Sequence, residues 1–311
     1  MPSPLIGELL NVLDKLSGGV HPGFRPAHAK GTMYSGTFTP ATDAVSLTRA
    51  PHATRASTPI TVRFSTSAGV PTVSDNDPQG ASPQGMAVRF HLADHVHTDI
   101  VAHSHNGFPV RTGEEFLAFL QAVAASGPSA PTPPPIVAFL AAHPKARAFV
   151  EAPKPIPVSY AQQAFFAITA FKFTNGAGVS RFGRFRLIPK AGTAFLSAEQ
   201  AAAKTTDFLA LEMSERLARG PVVFQIRVQL AGDGDEVANA TAVWPDNRPQ
   251  IEFGTLTLTQ RADELAPDMW KVIFDPLPRV EGIDSAGDPL TEVRSEIYLL
   301  SGRRRRAAGK K

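Results

Sequence analysis

Three short runs decide the fold: ITVRFS at residues 60–65, MAVRFHL at residues 86–92 and TDIVAH at residues 98–103. All three are rich in β-branched, aromatic and aliphatic residues, and Gly, Pro, Asp and Asn turns separate them. Short strands joined by such turns are typical of antiparallel sheets. We therefore predict that these runs are strands of an antiparallel barrel or sandwich.

Helices and further strands surround these runs. The N-terminal helix has apolar residues at helical spacing and ends at Gly18, and capping boxes at Thr112 and Ser197 open two others. The predicted elements are helices over 4–17, 112–125, 136–152 and 197–218, and strands over 156–189, 222–230 and 251–259. Because a regular βαβ alternation is absent, the predicted fold class is α+β, and no Rossmann dehydrogenase is indicated.

Composition narrows the classes of function. The 311-residue chain has no cysteine, which excludes a disulfide scaffold, a zinc ribbon, an iron–sulfur cluster and a thiol nucleophile. No apolar run approaches the roughly 18–20 residues that span a bilayer. The N-terminus also lacks the basic and then apolar pattern of a signal peptide. We therefore expect a cytoplasmic protein without a membrane span.

The net charge of +3 arises at the end of the chain. Residues 303–311 contribute six of the positive charges, and the remaining residues carry a net charge of −3. A basic segment of this kind can bind nucleic acid or a membrane surface. Since the rest of the chain shows no nucleic-acid signal, we expect residues 303–311 to be a flexible, solvated tail.

Two histidine pairs are candidates for a metal site. His95 and His97, like His103 and His105, are two residues apart, which puts both imidazoles on one face of a strand. Such a pair can chelate a metal ion. However, the next carboxylate, Glu114, lies far away at the start of a helix. The alternative interpretation is that these histidines are polar residues on a barrel wall.

Tyr298 follows Arg294 by four residues, so the phenol and the guanidinium share a helix face. A guanidinium beside a phenol favours the phenolate. Phenolate is a hard anionic ligand for ferric iron, and tyrosine is a known axial ligand of haem. An ordinary amphipathic helix would show the same spacing. His28, in the stretch RPAHAKG, is on its own either a structural or a catalytic histidine.

Taken together, these segments resemble the haem catalases, in particular the small catalase-related peroxidases. The resemblance is collinear and covers residues 20 to 306. The matching pieces are RxxHAKG at 25–31, TVRFST at 61–66, PQGMAVRF at 83–90, DIV at 99–101, FPVRTGEEF at 108–116, VWP at 243–245, FDP at 274–276, GI at 282–283 and RxxxY at 294–298. Each piece is weak alone, but the ordered set is specific.

The resemblance implies an antiparallel β-barrel of the haem catalase type, with surrounding helices and a buried haem b. We expect one catalase-core domain over residues 1–302. Its parts would be an N-terminal helix (4–17), a barrel with inserted helices (about 55–262) and a proximal haem segment (about 263–302). The threading arm, the nucleotide-binding region and the C-terminal domain of full-length catalases are expected to be absent.

The same resemblance assigns the principal site residues. Tyr298 would be the axial ligand of the ferric haem iron, and Arg294 would hold it as phenolate. His28 would stand over the opposite, distal face of the haem as the catalytic base. Ser65 matches a distal serine that forms a hydrogen bond with this histidine.

Five further positions match haem contacts in the family. Arg25, Arg63 and Arg305 would bind the haem propionates, a task for which the planar guanidinium is suited. Val101 and Phe116 match apolar positions against the haem.

One catalytic position departs from the family pattern. Catalases have a distal asparagine after the Asp-x-Val strand, and in ungapped register we assign that position to Ser104. Asn106 lies two residues further on, so it would share the strand face of Ser104 and supply the amide. We favour Asn106.

The implied function is that of a haem-dependent peroxidase. It would reduce organic peroxides, hydrogen peroxide or both through a ferryl intermediate, with weak or no catalase activity and a small organic electron donor. One alternative is a fatty-acid hydroperoxide isomerase of the allene oxide synthase type. Another is a non-enzymatic barrel that binds haem or a lipid. We expect a homodimer with no nucleic-acid partner.

Overall fold

A computed structural model of the chain describes residues 3–262 and 268–309. Within these ranges the chain forms ten β-strands and nine α-helices. The strands are β1 (Gly31–Pro40), β2 (Thr58–Ser65), β3 (Gly85–Ala93), β4 (Val96–His103), β5 (Phe165–Phe166), β6 (Phe171–Thr174), β7 (Ser180–Pro189), β8 (Val222–Leu230), β9 (Gln250–Arg261) and β10 (Ile283–Ser285). The helices are α1 (Pro4–Leu16), α2 (Ala44–Leu47), α3 (Pro51–Thr54), α4 (Gly113–Ala124), α5 (Pro135–Ala142), α6 (Pro144–Glu151), α7 (Ala198–Ala202), α8 (Phe208–Arg219) and α9 (Pro289–Ala308). Two 3₁₀ helices cover Tyr160–Gln162 and Met269–Lys271.

Eight of the strands close into an antiparallel barrel. Their order is β7-β5-β4-β3-β2-β1-β9-β8, and β8 pairs back with β7 to close it. β6 and β10 extend the sheet from β7 outside the closed ring. The predicted α+β fold with an antiparallel β-barrel and surrounding helices is confirmed.

The barrel interior is filled mainly by aromatic rings. Phe38 stacks on Phe253 with ring centroids 5.6 Å apart, and Phe64 contacts Phe165 and Phe224 at 5.6 Å and 5.9 Å. All of these side chains are fully buried. Because side chains alternate along a strand, the neighbouring residues of each strand point out of the barrel.

A second apolar cluster lies outside the barrel. It joins α1, α4 and α9 through buried side chains such as Leu9, Phe119 and Ile297. α9 begins at a side-chain cap, in which the carboxylate of Asp288 accepts a hydrogen bond from the Leu290 N–H at 2.9 Å. α9 therefore packs against α1 and α4 outside the barrel.

Several boundaries differ from the sequence-based predictions. The barrel begins with β1 at Gly31 and not near residue 55. The sequence did not predict β1, because it contains glycine and proline, which are depleted in strands. The helix predicted over 136–152 is divided between α5 and α6 at Pro144, which cannot continue the preceding helix. The helix predicted from Ser197 is likewise two helices, α7 and α8.

The basic segment expected to be flexible is instead helical to Ala308. Arg304 forms an ion pair with Asp14 at 2.6 Å, and Arg306 donates to the carbonyl oxygen of Lys271 at 2.9 Å and 3.0 Å. Lys310 and Lys311 lie outside the described residues, as do residues 263–267 at the start of the expected proximal segment. None of the helices in the described part of the chain is long and apolar enough to cross a membrane.

Candidate functional site

A cavity lies between the outer wall of the barrel and α9. Together with its mouth, it encloses about 1160 Å³ of space free of protein atoms. α9 contributes residues spaced by three or four along one helix face. These residues are Leu290, Val293, Arg294, Ile297, Tyr298, Ser301 and Arg305.

The barrel wall contributes two rows of paired residues. In one row, Ser65 on β2 is paired with Gly85 on β3, which is paired with His103 on β4. In the other row, Arg63 is paired with Ala87 and Ala87 with Val101. All six residues line the cavity. β2, β3 and β4 therefore supply one side of the site.

His28 lies over this wall. Its Nδ1 is 3.0 Å from the Ser65 hydroxyl oxygen. A Cβ added at Gly85 would be 2.7 Å from that hydroxyl and 2.9 Å from Nδ1 of His28. The glycine is therefore what allows the imidazole to lie against the sheet.

The backbone of His28 is held in an uncommon conformation. Its φ of 55° is in the left-handed region, which is costly for a residue with a side chain. The His28 N–H donates to the Ser67 carbonyl at 2.9 Å, and the His28 carbonyl accepts from Nη2 of Arg63 at 2.8 Å. These two bonds keep the imidazole in place despite the strain.

The His28 imidazole is neutral at physiological pH. Burial, and then the positive charges of Arg63, Arg25 and Arg294, lower its pKa to about 3. A neutral imidazole has one ring nitrogen that can accept a proton. His28 can therefore serve as a base toward a molecule in the cavity.

Tyr298 reaches the cavity from the α9 side. Nε of Arg294 donates to its phenol oxygen at 3.2 Å, and Nη1 of Arg294 donates to the hydroxyl of Thr169 at 3.3 Å. Thr169 is also bonded to Thr291 on α9, at 3.2 Å. The guanidinium is thus fixed beside the phenol oxygen by bonds to two hydroxyl groups.

Three arginines concentrate positive charge at one part of the cavity. Arg25 and Arg305 both donate to the carbonyl oxygen of Val272 at 2.9 Å. Desolvation lowers the pKa of Arg25, and so do the charges of Arg63 and Arg305. The three guanidinium groups line the cavity close enough to act on one another, so this cluster favours an anionic group of the ligand.

A buried ion pair joins the wall to the segment that precedes α9. Arg89 forms two hydrogen bonds with the carboxylate of Asp99, at 2.8 Å and 2.7 Å. Asp99 also accepts from the Asp275 N–H at 2.8 Å, and Asp275 accepts from the Ser295 hydroxyl at 2.7 Å. This chain of bonds fixes α9 relative to the wall.

The remaining predicted contacts, Val101 and Phe116, also line the cavity. Phe274 and Ile273 extend its apolar lining, although the sequence-based reasoning did not single them out as contacts. The available signal was the matched FDP stretch, which begins at Phe274 and directly follows Ile273.

The structure corrects the prediction for the distal amide. Neither Ser104 nor Asn106 lines the cavity, and His103 does so instead. The Ser104 hydroxyl bonds the side chain and the N–H of Gln84, at 3.0 Å each. Val101 faces the cavity, so alternation along β4 gives the next cavity position to His103, two residues on. Counting from Val101 would have found it.

The structure does not support the two histidine pairs as candidate metal sites. His95 lies in the turn before β4 with a φ of 58°, and His105 lies after β4, so neither pair sits on one strand face. No group of three or more His, Cys, Asp or Glu able to hold a metal ion occurs among residues 3–262 and 268–309.

The residues around the cavity match the requirements of haem. Tyr298 offers a hard oxygen ligand for ferric iron, with Arg294 beside it. The three arginines suit two carboxylate groups, and the apolar lining suits a macrocycle. Nε2 of His103 is buried, and no described residue bonds to it. The donor set therefore fits a haem with Tyr298 on one side and His28 on the other.

Comparison with known proteins identifies the relatives of the chain. The family profile that matches the chain is described as "Catalase" and covers residues 23–310. A "Catalase-related peroxidase" of Mycolicibacterium paratuberculosis is 36% identical over 288 residues, which are 92% of this chain and 90% of that protein. A protein of the same name from Synechococcus elongatus is 31% identical, over 93% of this chain and 86% of its own length.

Solved catalase structures share the fold. Catalase A from Saccharomyces cerevisiae superposes with a TM-score of 0.80 at 20% identity, over 91% of this chain and 61% of the yeast chain. A fungal catalase gives the same TM-score of 0.80 at 21% identity. The chain thus spans about three fifths of these two structures, with 61% and 62% of their lengths covered.

Proposed function

The chain belongs to the catalase family, and on that premise we propose that it is a haem-dependent peroxidase. It acts on organic peroxides, hydrogen peroxide or both, with electrons from a small organic donor. The observation that carries the proposal is the pairing of His28 and Tyr298 across one cavity, each held by a partner, Ser65 and Arg294.

His28 moves the protons of the reaction. Reduction of a peroxide consumes two electrons and two protons, and it yields water together with an alcohol or a second water. The neutral His28 accepts the proton of the incoming peroxide and returns it to the oxygen that leaves. General acid–base catalysis of this kind contributes about 10²–10⁴-fold to the rate. Ser65 keeps the ring oriented for both transfers.

The other residues hold the cofactor. Tyr298 would bind the iron through its phenol oxygen, and the arginines Arg25, Arg63 and Arg305 would bind the propionates. When bound, haem supplies the redox centre that exchanges electrons with peroxide and donor. Val101 and Phe116 keep water from the macrocycle.

The test is peroxide turnover by the haem-loaded protein and by His28→Ala. We expect the wild-type protein to reduce cumene hydroperoxide with an aromatic donor, because His28 supplies the base. The His28→Ala variant should keep its haem and lose at least about 100-fold in rate.

His97→Ala is the matched control, because His97 lies on β4 at the end remote from the cavity. Its turnover should equal that of the wild-type protein. A His28→Ala variant with the full rate would contradict the assignment of the base. Conversion of a fatty-acid hydroperoxide without consumption of any donor would identify the isomerase instead.

A further inference from the structure

Among the four histidines of the two candidate pairs, His103 lines the cavity, and it does so on the same wall as Ser65 and Gly85. It is paired directly with Gly85, and Gly85 is the residue on which the His28 ring lies. Side chains directly opposite in an antiparallel pair are about 4.5–5.5 Å apart at Cβ. His103 therefore stands beside His28, on the side away from Ser65.

The hydrogen bonds of His103 define which ring nitrogen carries the proton. The main-chain N–H of His105 donates to Nδ1 of His103 at 3.3 Å, so Nδ1 is an acceptor. Burial lowers the pKa of His103 to about 3, and the ring is neutral. In a neutral imidazole with an accepting Nδ1, the proton is on Nε2.

That Nε2–H group lacks an acceptor. Nε2 is buried, and no residue in the described part of the chain bonds to it. A buried donor without an acceptor is costly and rare, which calls for a functional explanation. The two side chains that follow His103 have partners of their own. The Ser104 hydroxyl bonds the side chain of Gln84, and the His105 ring packs edge-on against Phe149 with ring centroids 4.8 Å apart.

We propose that His103 is a second catalytic residue, whose Nε2–H donates a hydrogen bond to the oxygen of the peroxide bound in the cavity. This inference rests on the proposed peroxidase function. His28 and His103 then have complementary tasks, because His28 accepts a proton while His103 polarises the peroxide without losing its own. Both imidazoles lie next to Gly85, so both can contact the same peroxide.

Fluoride binding by the haem-loaded protein tests this proposal without turnover. Fluoride binds ferric haem and accepts hydrogen bonds, so its dissociation constant reports a donor in the cavity. At constant neutral pH we expect His103→Leu, which has no donor, to bind fluoride at least about tenfold more weakly than wild type. His103→Asn restores an N–H donor and should stay within about threefold of wild type.

The control for these variants is His97→Leu, which changes the same residue type on the same face of β4. Haem content and the unfolding midpoint are measured for every variant, and His103→Ala replaces His103→Leu if the latter does not fold. Unchanged fluoride affinity in the donor-free variants, at full haem content, would overturn the role of His103 and leave the proposed function intact. Failure of the wild-type protein to take up haem would overturn both.

Discussion

At the scale of single residues, the site depends on how closely the side chains approach the barrel wall. Gly85 has no side chain, and this lets the His28 ring contact the sheet within hydrogen-bond distance of Ser65. The strained backbone of His28 is held by two hydrogen bonds. Small changes on the wall should therefore affect catalysis before they affect stability.

Substitution of Gly85 by alanine tests this dependence. The new Cβ would be 2.9 Å from Nδ1 of His28, so the ring must tilt away from Ser65. We expect Gly85→Ala to retain haem and to lose at least about tenfold in peroxide turnover, because the base is misplaced. Turnover and haem content are measured together.

Gly127→Ala is the matched control, because a Cβ at Gly127 meets no atom within 4 Å. It should leave turnover unchanged. A Gly85→Ala variant as active as this control would show that the position of His28 does not depend on the glycine.

Most of the predicted site residues line the cavity, whereas Ser104 and Asn106 do not. Those that do, with the exception of Arg305, lie in short ordered motifs. The distal position was instead assigned to Ser104 by ungapped register, and Asn106, two residues further on, was favoured for the amide. β4 ends at His103, so strand alternation does not extend to Asn106.

At the scale of elements, β1 shows where residue propensities fail to predict a strand. β1 contains Gly31 and Gly36 and ends at Pro40, residue types that are depleted in strands, so the sequence did not indicate a strand. Each glycine has a steric reason. A Cβ at Gly31 would lie 2.6 Å from Nη2 of Arg63, and Gly36 faces the backbone of β9 at a register shift. Close packing in the closed barrel selects residues that local propensity disfavours.

Gly36→Ala should therefore destabilise the barrel. A Cβ at Gly36 would overlap the carbonyl oxygen of Thr257 and lie 2.9 Å from Cα of Leu258, and both are backbone atoms that cannot turn aside. We expect the free energy of unfolding to fall by about 1–3 kcal/mol, as for other overpacked buried sites. Urea denaturation measures the change.

Gly7→Ala provides the comparison within the same chain. Gly7 lies in α1, and a Cβ there meets no atom within 4 Å. The variant should gain about 0.5–1 kcal/mol, because alanine is the better helix former. If both variants changed stability equally, the close approach of β1 and β9 would not explain the glycine.

At the scale of the whole molecule, the closed barrel and α9 enclose the site between them. Barrel closure by β7 and β8 could not be predicted from local patterns, because pairing between distant strands leaves no local signal. The local patterns left a barrel and a sandwich open, and only the ordered set of motifs indicated the barrel. Likewise, the basic run from residue 303 could not be distinguished from a flexible tail, because the contacts that hold it, such as Arg304 with Asp14, are distant in sequence.

Buried neutral histidines should make the whole fold sensitive to acid. His52 lies inside the barrel between Phe38, Phe90 and Phe253, and its pKa is lowered to about 3 by burial and then by Arg55. Below about pH 6.5 the unfolded chain binds a proton there that the folded chain cannot bind. Stability is therefore complete above that pH and falls as the pH decreases toward 3.

His52→Leu should reduce this loss. Each buried histidine with a lowered pKa steepens the fall of the free energy of unfolding by up to about 1.4 kcal/mol per pH unit. The free energy of unfolding, measured at about pH 7.5 and about pH 5, should therefore change less in His52→Leu than in the wild-type protein. Gly127→Ala, which leaves every histidine in place, should keep the wild-type dependence. An unchanged slope in His52→Leu would show that His52 does not contribute.

The most direct test of the central claim, a haem site with Tyr298 as ligand, is the absorption spectrum of the haem-loaded protein. The wild-type protein should show a Soret band with a high-spin ferric, phenolate-type visible spectrum. Tyr298→Phe should lose haem or change this spectrum, because the phenol oxygen is gone. Tyr160→Phe, which alters a tyrosine buried in the barrel, should keep it. A wild-type protein that takes up no haem, or a Tyr298→Phe spectrum identical to that of the wild type, would contradict the account.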